Sequence, residues 1–266
     1  MAGIPHYKDN TEFTGMIKTA KLNTYYENVE NAVALFDESE LRFLPGEQFE
    51  YSSLGTVLLS AAMQHSAGMS YQDWMQQQVF TPLGLLDTQT EQQAKSSSKL
   101  AQFYWHDKET SKSVRPWRNV DLSHRLAGGG WISTSSDLAK FGQGFISDNF
   151  ISRNIRQEFW TSQKLNNGKV NNQSYAIGWR ANELNLRGEL GWVSYAHHGG
   201  VSRGAQSFLM VIPKYKLSLA VNINSNIEVF SDFSEIVRPL ARLFISQYLE
   251  NTKQEELRGI NAAVIK

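Results

Sequence analysis

Residues 192–223 read WVSYAHHGGVSRGAQSFLMVIPKYKLSLAVNI. Trp192–Ala196, Gln206–Ile212 and Leu217–Ile223 are short, apolar and rich in residues that fit a pleated, half-buried surface, so each reads as a strand. The link Pro213-Lys214-Tyr215-Lys216 is too short for a crossover helix, which makes the last two strands an antiparallel hairpin. The stretch therefore predicts a three-stranded meander. Downstream, Ile236, Leu240, Leu243, Phe244 and Tyr248 form a helical stripe that could cover one face of that sheet, with Pro239 near its start.

Upstream the period changes. Leu54, Val57, Leu58, Ala61 and Ala62 recur at helical spacing within 51–66, and Ala67-Gly68 supplies a stop. Ser70 then reads as the N-cap of a helix over Tyr71–Val79, closed by Pro82-Leu83-Gly84. Residues 89–99 are polar without an apolar stripe and read as a surface loop. Thr134-Ser135-Ser136-Asp137 offers caps for a helix through Leu138, Phe141 and Phe145. The expected fold class is α+β in a single domain over 1–266. Its mainly helical lobe spans about 8–170, and its antiparallel sheet with a C-terminal helix about 175–266.

Bulk properties narrow the function. With 41% hydrophobic residues over 266 positions the chain can bury a substantial core. Lys+Arg and Asp+Glu each total 26, so no net field exists to hold nucleic acid, and a small-molecule or peptide substrate fits better. The chain has no cysteine, which excludes a disulfide framework, a thiolate nucleophile and a cysteine-ligated zinc. No secretory signal opens the sequence, and no apolar run approaches the ~18 residues that cross a bilayer. Compartment and oligomeric state stay open.

Four local patterns invite a chemical reading. Gly200-Val201-Ser202-Arg203-Gly204 fits G-x-S-x-G, yet that elbow needs a helix after the serine, and Ala205–Ile212 reads as a strand. A turn between strands is the simpler reading of Ser202. Ser96-Ser97-Ser98-Lys99 is the only S-x-x-K, but it lies in the polar loop rather than at a buried helix start. His197-His198 lacks metal-ligand spacing, since neighbours on a strand point to opposite faces. Gly128-Gly129-Gly130 fits neither phosphate-loop pattern and reads as a tight loop. No metal or cofactor is expected.

Taken in order, several segments resemble the beta-lactamase-related serine hydrolases, which include class C beta-lactamases, D-alanyl-D-alanine carboxypeptidases, some esterases and a mitochondrial beta-lactamase-like branch. Gly3-Ile4-Pro5-His6-Tyr7 is similar to the family's "SGIPHY" loop. Pro45-Gly46-Glu47-Gln48-Phe49-Glu50-Tyr51-Ser52-Ser53-Leu54-Gly55 is similar to its PG-x-x-F-x-YSN-x-G segment. Pro82–Thr88, Gly129–Thr134 and Tyr195–Gly200 follow in the family's order.

The resemblance implies a beta-lactamase/transpeptidase-like fold, an antiparallel sheet flanked by helices plus a helical lobe. It gives Tyr51 the proton transfer between nucleophile and leaving group. Ser53 stands at the asparagine of Y-x-N and would bond a substrate carbonyl. His197 would face the cleft at the lysine of K-T-G. His198 replaces the hydroxyl residue beside Gly199, and the Gly200 amide would be an oxyanion donor. The family's S-x-x-K belongs upstream of the "SGIPHY" loop, so the chain is expected to lack the nucleophile, its helix and the N-terminal strands. Loss of such a serine costs on the order of 10^6 in kcat, and an uncovered sheet edge is a further expectation. The family setting points to a bacterial periplasmic or exported hydrolase. The competing expectation is a non-catalytic binding or assembly module of the same fold. Because histidine is mostly neutral at pH 7, unlike lysine, the enzyme should favour esters or peptides over beta-lactams.

Overall fold

Residues 1–6 lie beside 41–46, where the Arg42 amide donates to Gly3 O at 2.9 Å and the Gly46 amide to Met1 O at 2.8 Å. This computed structural model describes residues 1–6, 24–36, 40–95, 97–106, 114–116, 121–202, 204–225 and 233–264. Tyr7 of the "SGIPHY" loop, the lobe residues 8–23 and Ser96 lie outside that set. Helix α1 (Ser53–Ala67) starts where the Ser52 hydroxyl accepts the Gly55 amide and ends at Gly68, whose φ of 65° is a left-handed conformation glycine adopts freely. Its buried residues include Leu54, Val57 and Ala61.

The Ser70 cap holds as expected: α2 (Tyr71–Met75) begins with its hydroxyl accepting the Asp73 amide. The helix runs on through a wider turn at Gln76–Phe80 and ends at Leu83. Residues 89–99 are more structured than a plain loop. Strand β1 (Gln89–Thr90) leads into α3 (Glu91–Ala94), where Thr90 and Gln93 cap each other reciprocally. A short ladder pairs β2 (Tyr104–His106) with β3 (Val114–Pro116), and β4 (Trp131–Ile132) pairs with β1. The lobe ends in α4 (Ser135–Ile146), capped by Thr134, and α5 (Arg153–Phe159).

The sheet comprises β5 (Arg180–Asn185), β6 (Trp192–Ser202), β7 (Ala205–Ile212) and β8 (Leu217–Ile223), antiparallel and in that order. Periodicity missed β5 because it is mostly polar, with Leu184 its one buried side chain. Strand β6 is longer than its apolar run and carries the pair of histidines and both glycines. Its pairing with β5 stops at Arg180↔His197, whereas its pairing with β7 continues to Ser202↔Ala205. His198–Ser202 therefore has a described neighbour on one side alone, and among the described strands β8 forms the far edge.

Both faces of the sheet are packed. On one, Val193, Phe208, Met210, Ile212 and Leu219 meet Phe233, Val237, Ala241 and Ile245 of α6 (Phe233–Val264). On the other, Ala196, Leu209 and Val211 meet Phe145 of α4 and Trp179. The stripe expected on α6 needs correction. Ile236, Leu243, Phe244 and Tyr248 are exposed, and the sheet receives the neighbouring row at 233, 237, 241 and 245. That row contains Val237 and Ala241, small enough for close approach of helix to sheet, and its burial outweighs the exposure of the larger residues beside it. Among the described residues no helix is long and apolar enough to cross a membrane.

Gly142 sets how closely α4 approaches the sheet. A Cβ there would overlap Ser218 Oγ and stand 3.0 Å from Val211 Cγ2. An alanine inside a helix normally stabilises by up to ~1 kcal/mol over glycine. Gly142→Ala should instead destabilise by about 1–3 kcal/mol through overpacking, read as a lower midpoint in urea denaturation.

Candidate active site

The helical lobe presents Tyr51 through a pinned turn. Gly46 takes φ 85°, and a Cβ there would overlap Asn166 Oδ1. The Asn166 amide donates to Gly46 O at 2.9 Å, and its Nδ2 to Pro45 O at 3.2 Å. Ser52, besides capping α1, donates to Pro5 O at 3.0 Å and so ties the N-terminal loop to the helix. Ser53 opens α1, and its carbonyl accepts the Thr56 hydroxyl at 2.6 Å. Gly128 lies against this point, since a Cβ on it would come 2.6 Å from Thr56 Oγ1 and 3.0 Å from Ser53 O. The triple glycine is where the lobe backbone passes the start of α1.

The sheet presents His198. Its ring centroid lies 6.2 Å from that of Tyr51 and 5.9 Å from that of Tyr175, and its Nε2 is hydrogen-bonded to the Tyr175 hydroxyl at 3.3 Å. Tyr51 and Tyr175 meet edge to face at 5.8 Å. Tyr175 is held by the buried Asn171, whose Oδ1 accepts the Tyr175 amide at 2.9 Å and whose Nδ2 donates to Tyr175 O at 2.8 Å. The Arg180 guanidinium lies 5.4 Å over the Tyr175 ring and donates to Gln173 Oε1 at 2.7 Å.

His197 was expected to face the cleft, and its side chain lies on the opposite face. It stacks between Tyr195 at 4.8 Å and Phe208 at 5.4 Å on the α6 side, with Nε2 3.2 Å from Asn182 Nδ2. The cause is strand alternation: Ala196 packs in the α4-side cluster, so His198 shares its face and His197 cannot. Gly199 sits opposite Phe208 in the β6–β7 register. Gly200 returns to the Tyr51 face, and its Cβ position meets no atom within 4 Å. Open space therefore lies beside His198.

Burial first, and then the Arg180 charge, lowers both histidines to about 4; for His198 a hydrogen bond with the Gly199 backbone partly offsets this. Burial, with Tyr51 nearby, pushes Tyr175 up to about 12 against the pull of Arg180. His198 and Tyr175 are accordingly uncharged at neutral pH. Among the described residues no group of three or more histidine or acidic side chains is placed to hold a metal ion.

The remaining candidates sit elsewhere. Ser202 Oγ accepts from Arg125 Nη2 at 2.8 Å and leads into β7 rather than a helix, so the elbow geometry is absent there. Lys99 is on the surface, 3.5 Å from Asp87. A hollow of about 50 Å³ lined by Tyr26, Gln72, Glu91 and Asp121 includes neither Tyr51 nor His198. Tyr175 and Asn171 escaped the motif reading. The signal for Tyr175 was the run Tyr175-Ala176-Ile177-Gly178-Trp179, two aromatics around a Gly178 at φ 74°, just before β5.

The profile of the Beta-lactamase family matches residues 1–240. The chain belongs to this family. It is 31% identical over 222 residues to the serine beta-lactamase-like protein LACTB, mitochondrial, of Mus musculus, a match covering 76% of this chain and 39% of that protein. The chain thus spans about two-fifths of that relative's length. Among solved structures, it superposes on the D-stereospecific amidohydrolase from Streptomyces sp. with TM-score 0.66 at 21% identity, covering 84% of this chain and 65% of that one. For the D-amino acid amidase from Ochrobactrum anthropi SV3 the TM-score is 0.67 at 18% identity, covering 94% and 70%. These likenesses match the beta-lactamase/transpeptidase-like fold.

The paired histidines make the fold acid-sensitive. Each binds a proton near pH 6.5 when unfolded and near 4 in the fold. Stability is full above about pH 6.5 and falls as pH drops towards 4, by about 1.4 kcal/mol per pKa unit for each ring. Urea midpoints recorded from pH 7 to 4.5 should fall, and fall less in His197→Gln.

Proposed function

We propose that this chain carries the tyrosine and strand portions of a serine acyl-hydrolase site acting on esters or peptides, within a single domain. The nucleophile comes from an S-x-x-K segment other than Ser96–Lys99, and without it the chain is inactive. The observation that carries this reading is the meeting of Tyr51 and His198 beside the open space at Gly200. In that space a serine and its lysine partner would stand within reach of both the phenol and the strand edge. Membership of a family whose mouse relative is a serine beta-lactamase-like protein supports the same chemistry.

In this reading Tyr51 relays the proton between nucleophile and leaving group, and Ser53 hydrogen-bonds the substrate carbonyl. His198 takes the strand position first given to His197, and Gly199 and Gly200 follow it. The one-residue shift moves the oxyanion donor from the Gly200 amide to that of Val201, because successive amides of a strand point to opposite edges. An uncharged His198 offers hydrogen bonding where a lysine would offer charge, which favours esters and peptides.

Incubation with a fluorophosphonate or a penicillin, followed by intact-protein mass spectrometry, should show no added mass. An adduct lost in Ser202→Ala or Ser96→Ala would overturn the assignment. Joined to an S-x-x-K segment, the chain should hydrolyse p-nitrophenyl esters faster than nitrocefin, and Tyr51→Phe should lower kcat by about 10^2–10^4. Ester turnover left unchanged by Tyr51→Phe would remove Tyr51 from the proton path, and faster nitrocefin turnover would sink the ester and peptide preference.

A further inference from the structure

We propose that the open edge of β8, with the flanks of α4 and α6 beside it, is a docking surface for a second copy of this chain, the two copies related by a two-fold axis normal to the sheet. The surface stands apart from the Tyr51 and His198 site. Among the described strands none pairs with the outer side of β8. Leu217–Ile223 contains no proline and no charged residue, and its ladder with β7 runs without a bulge from Gln206↔Ile223 to Ile212↔Leu217. The devices that blunt a sheet edge against pairing are therefore missing from it.

The helices on both faces turn uncharged flanks towards this edge. Val237 of α6 is buried against the sheet, and at about 100° per residue Ile236 and Arg238 lie on opposite flanks of it. The Arg238 charge acts on Tyr195 of β6, so its flank looks inward across the sheet and the flank of Ile236 looks outward over β8. The outward flank continues in four-residue steps through Leu240, Phe244 and Tyr248 to Thr252. None of these is charged, and Ile236, Phe244 and Tyr248 are exposed. The inward flank carries Arg238 and Arg242. On α4, Phe141 and Phe145 pack inward with Trp179 and Ala196, which turns Ser136, Ala139 and Gln143 outward.

An occupant has to bring an unpaired strand and an apolar helix flank at one fixed offset, and a second copy has both. Helix α6 spans β7 and β8, with Phe233 stacked on Phe208 at 5.8 Å and Leu219 in the same core. At ~4.8 Å between strands, a two-fold axis along the open side of β8 sets the two α6 helices about 10 Å apart, an ordinary helix-packing distance. Gly142, lying between Ser218 and Val211, gives α4 the same offset on the other face. Centred on Ala220, the axis puts Leu217 opposite the partner's Ile223 and Leu219 opposite the partner's Val221, so like faces continue across the junction. A strand ~23 Å long beside a helix row ~18 Å long buries roughly 500 Å² per copy, about 1,000 Å² together, which is the lower bound of a specific interface and suits a micromolar dimer.

Sedimentation equilibrium of the full chain should give about 60 kDa, twice the 30.1 kDa chain, at ~100 μM and the single-chain mass at ~1 μM. Phe244→Glu should weaken the dimer at least ~10-fold. Leu243→Glu should not, although Leu243 is 61% exposed against 48% for Phe244, because it stands about 200° round the helix from the buried Ala241 and points away from both sheet and partner. The chain has no cysteine, so Lys216→Cys and Asn224→Cys each supply a single thiol at one end of β8. A short bismaleimide should join the two variants when they are mixed and neither when it is alone, since the axis sets 216 opposite the partner's 224. If Phe244→Glu does not fold, this cross-link decides. A single-chain mass at ~300 μM overturns the proposal, and slow hydrogen exchange at Leu217–Ile223 in that monomer would show another segment of the chain on the edge. A dimer unweakened by Phe244→Glu, one weakened equally by Leu243→Glu, or one that gives no cross-link in the mixture overturns it as well.

Discussion

The two-residue period of β6 decides the chemistry of this chain. A strand has to send neighbouring side chains to opposite faces, and here the two faces differ in kind. One is sealed by α6 into an aliphatic and aromatic core, while the other opens towards the lobe. Adjacent histidines of the same type therefore have different fates. His197 becomes a stacked ring between Tyr195 and Phe208, and His198 becomes the wall of a cleft. The glycines extend the same logic, since Gly200 keeps the strand's floor free of side chain beside His198.

The walls of that cleft are held by amide side chains, not by apolar contact alone. Asn166 holds the Pro45-Gly46 turn, and Asn171 holds both backbone groups of Tyr175. Each lies in the segment joining α5 to β5. Such bonds are directional, so they fix the angle at which Tyr51 and Tyr175 meet His198, which burial alone would leave loose. The site's polarity follows from the same packing. Burial desolvates His198 and Tyr175 and keeps both uncharged, and the positive charge beside them is that of Arg180 over the Tyr175 ring.

Much of this was legible in the sequence. Helix α1, the Ser70 and Thr134 caps and the β7–β8 hairpin follow from local chemistry: a period, a hydroxyl before a helix, a link too short to cross over. The family likeness placed Tyr51 at the mouth of a helix and the histidine pair on a strand. What escaped were features with no local signature. Strand β5 is mostly polar, and it is a strand because β6 pairs with it along its length. Thr90–Ala94 took a reciprocal cap and a two-residue ladder in place of a loop.

The sequence by itself determined the helix at α1, the capped helix starts, the β7–β8 hairpin and which residue types stand beside one another, because these depend on neighbours a few positions apart. The tertiary structure alone decided which of two equivalent faces is inward. On α6 two apolar rows compete, and the row at 233, 237, 241 and 245 won because it brings helix and sheet closest. On β6 either histidine could have met Tyr51, and the choice fell to His198 because Ala196, two residues earlier, packs against Phe145 and Trp179. A one-residue change of phase leaves local propensity almost untouched and reverses every side chain. Only the surfaces packed against the element tell the two phases apart.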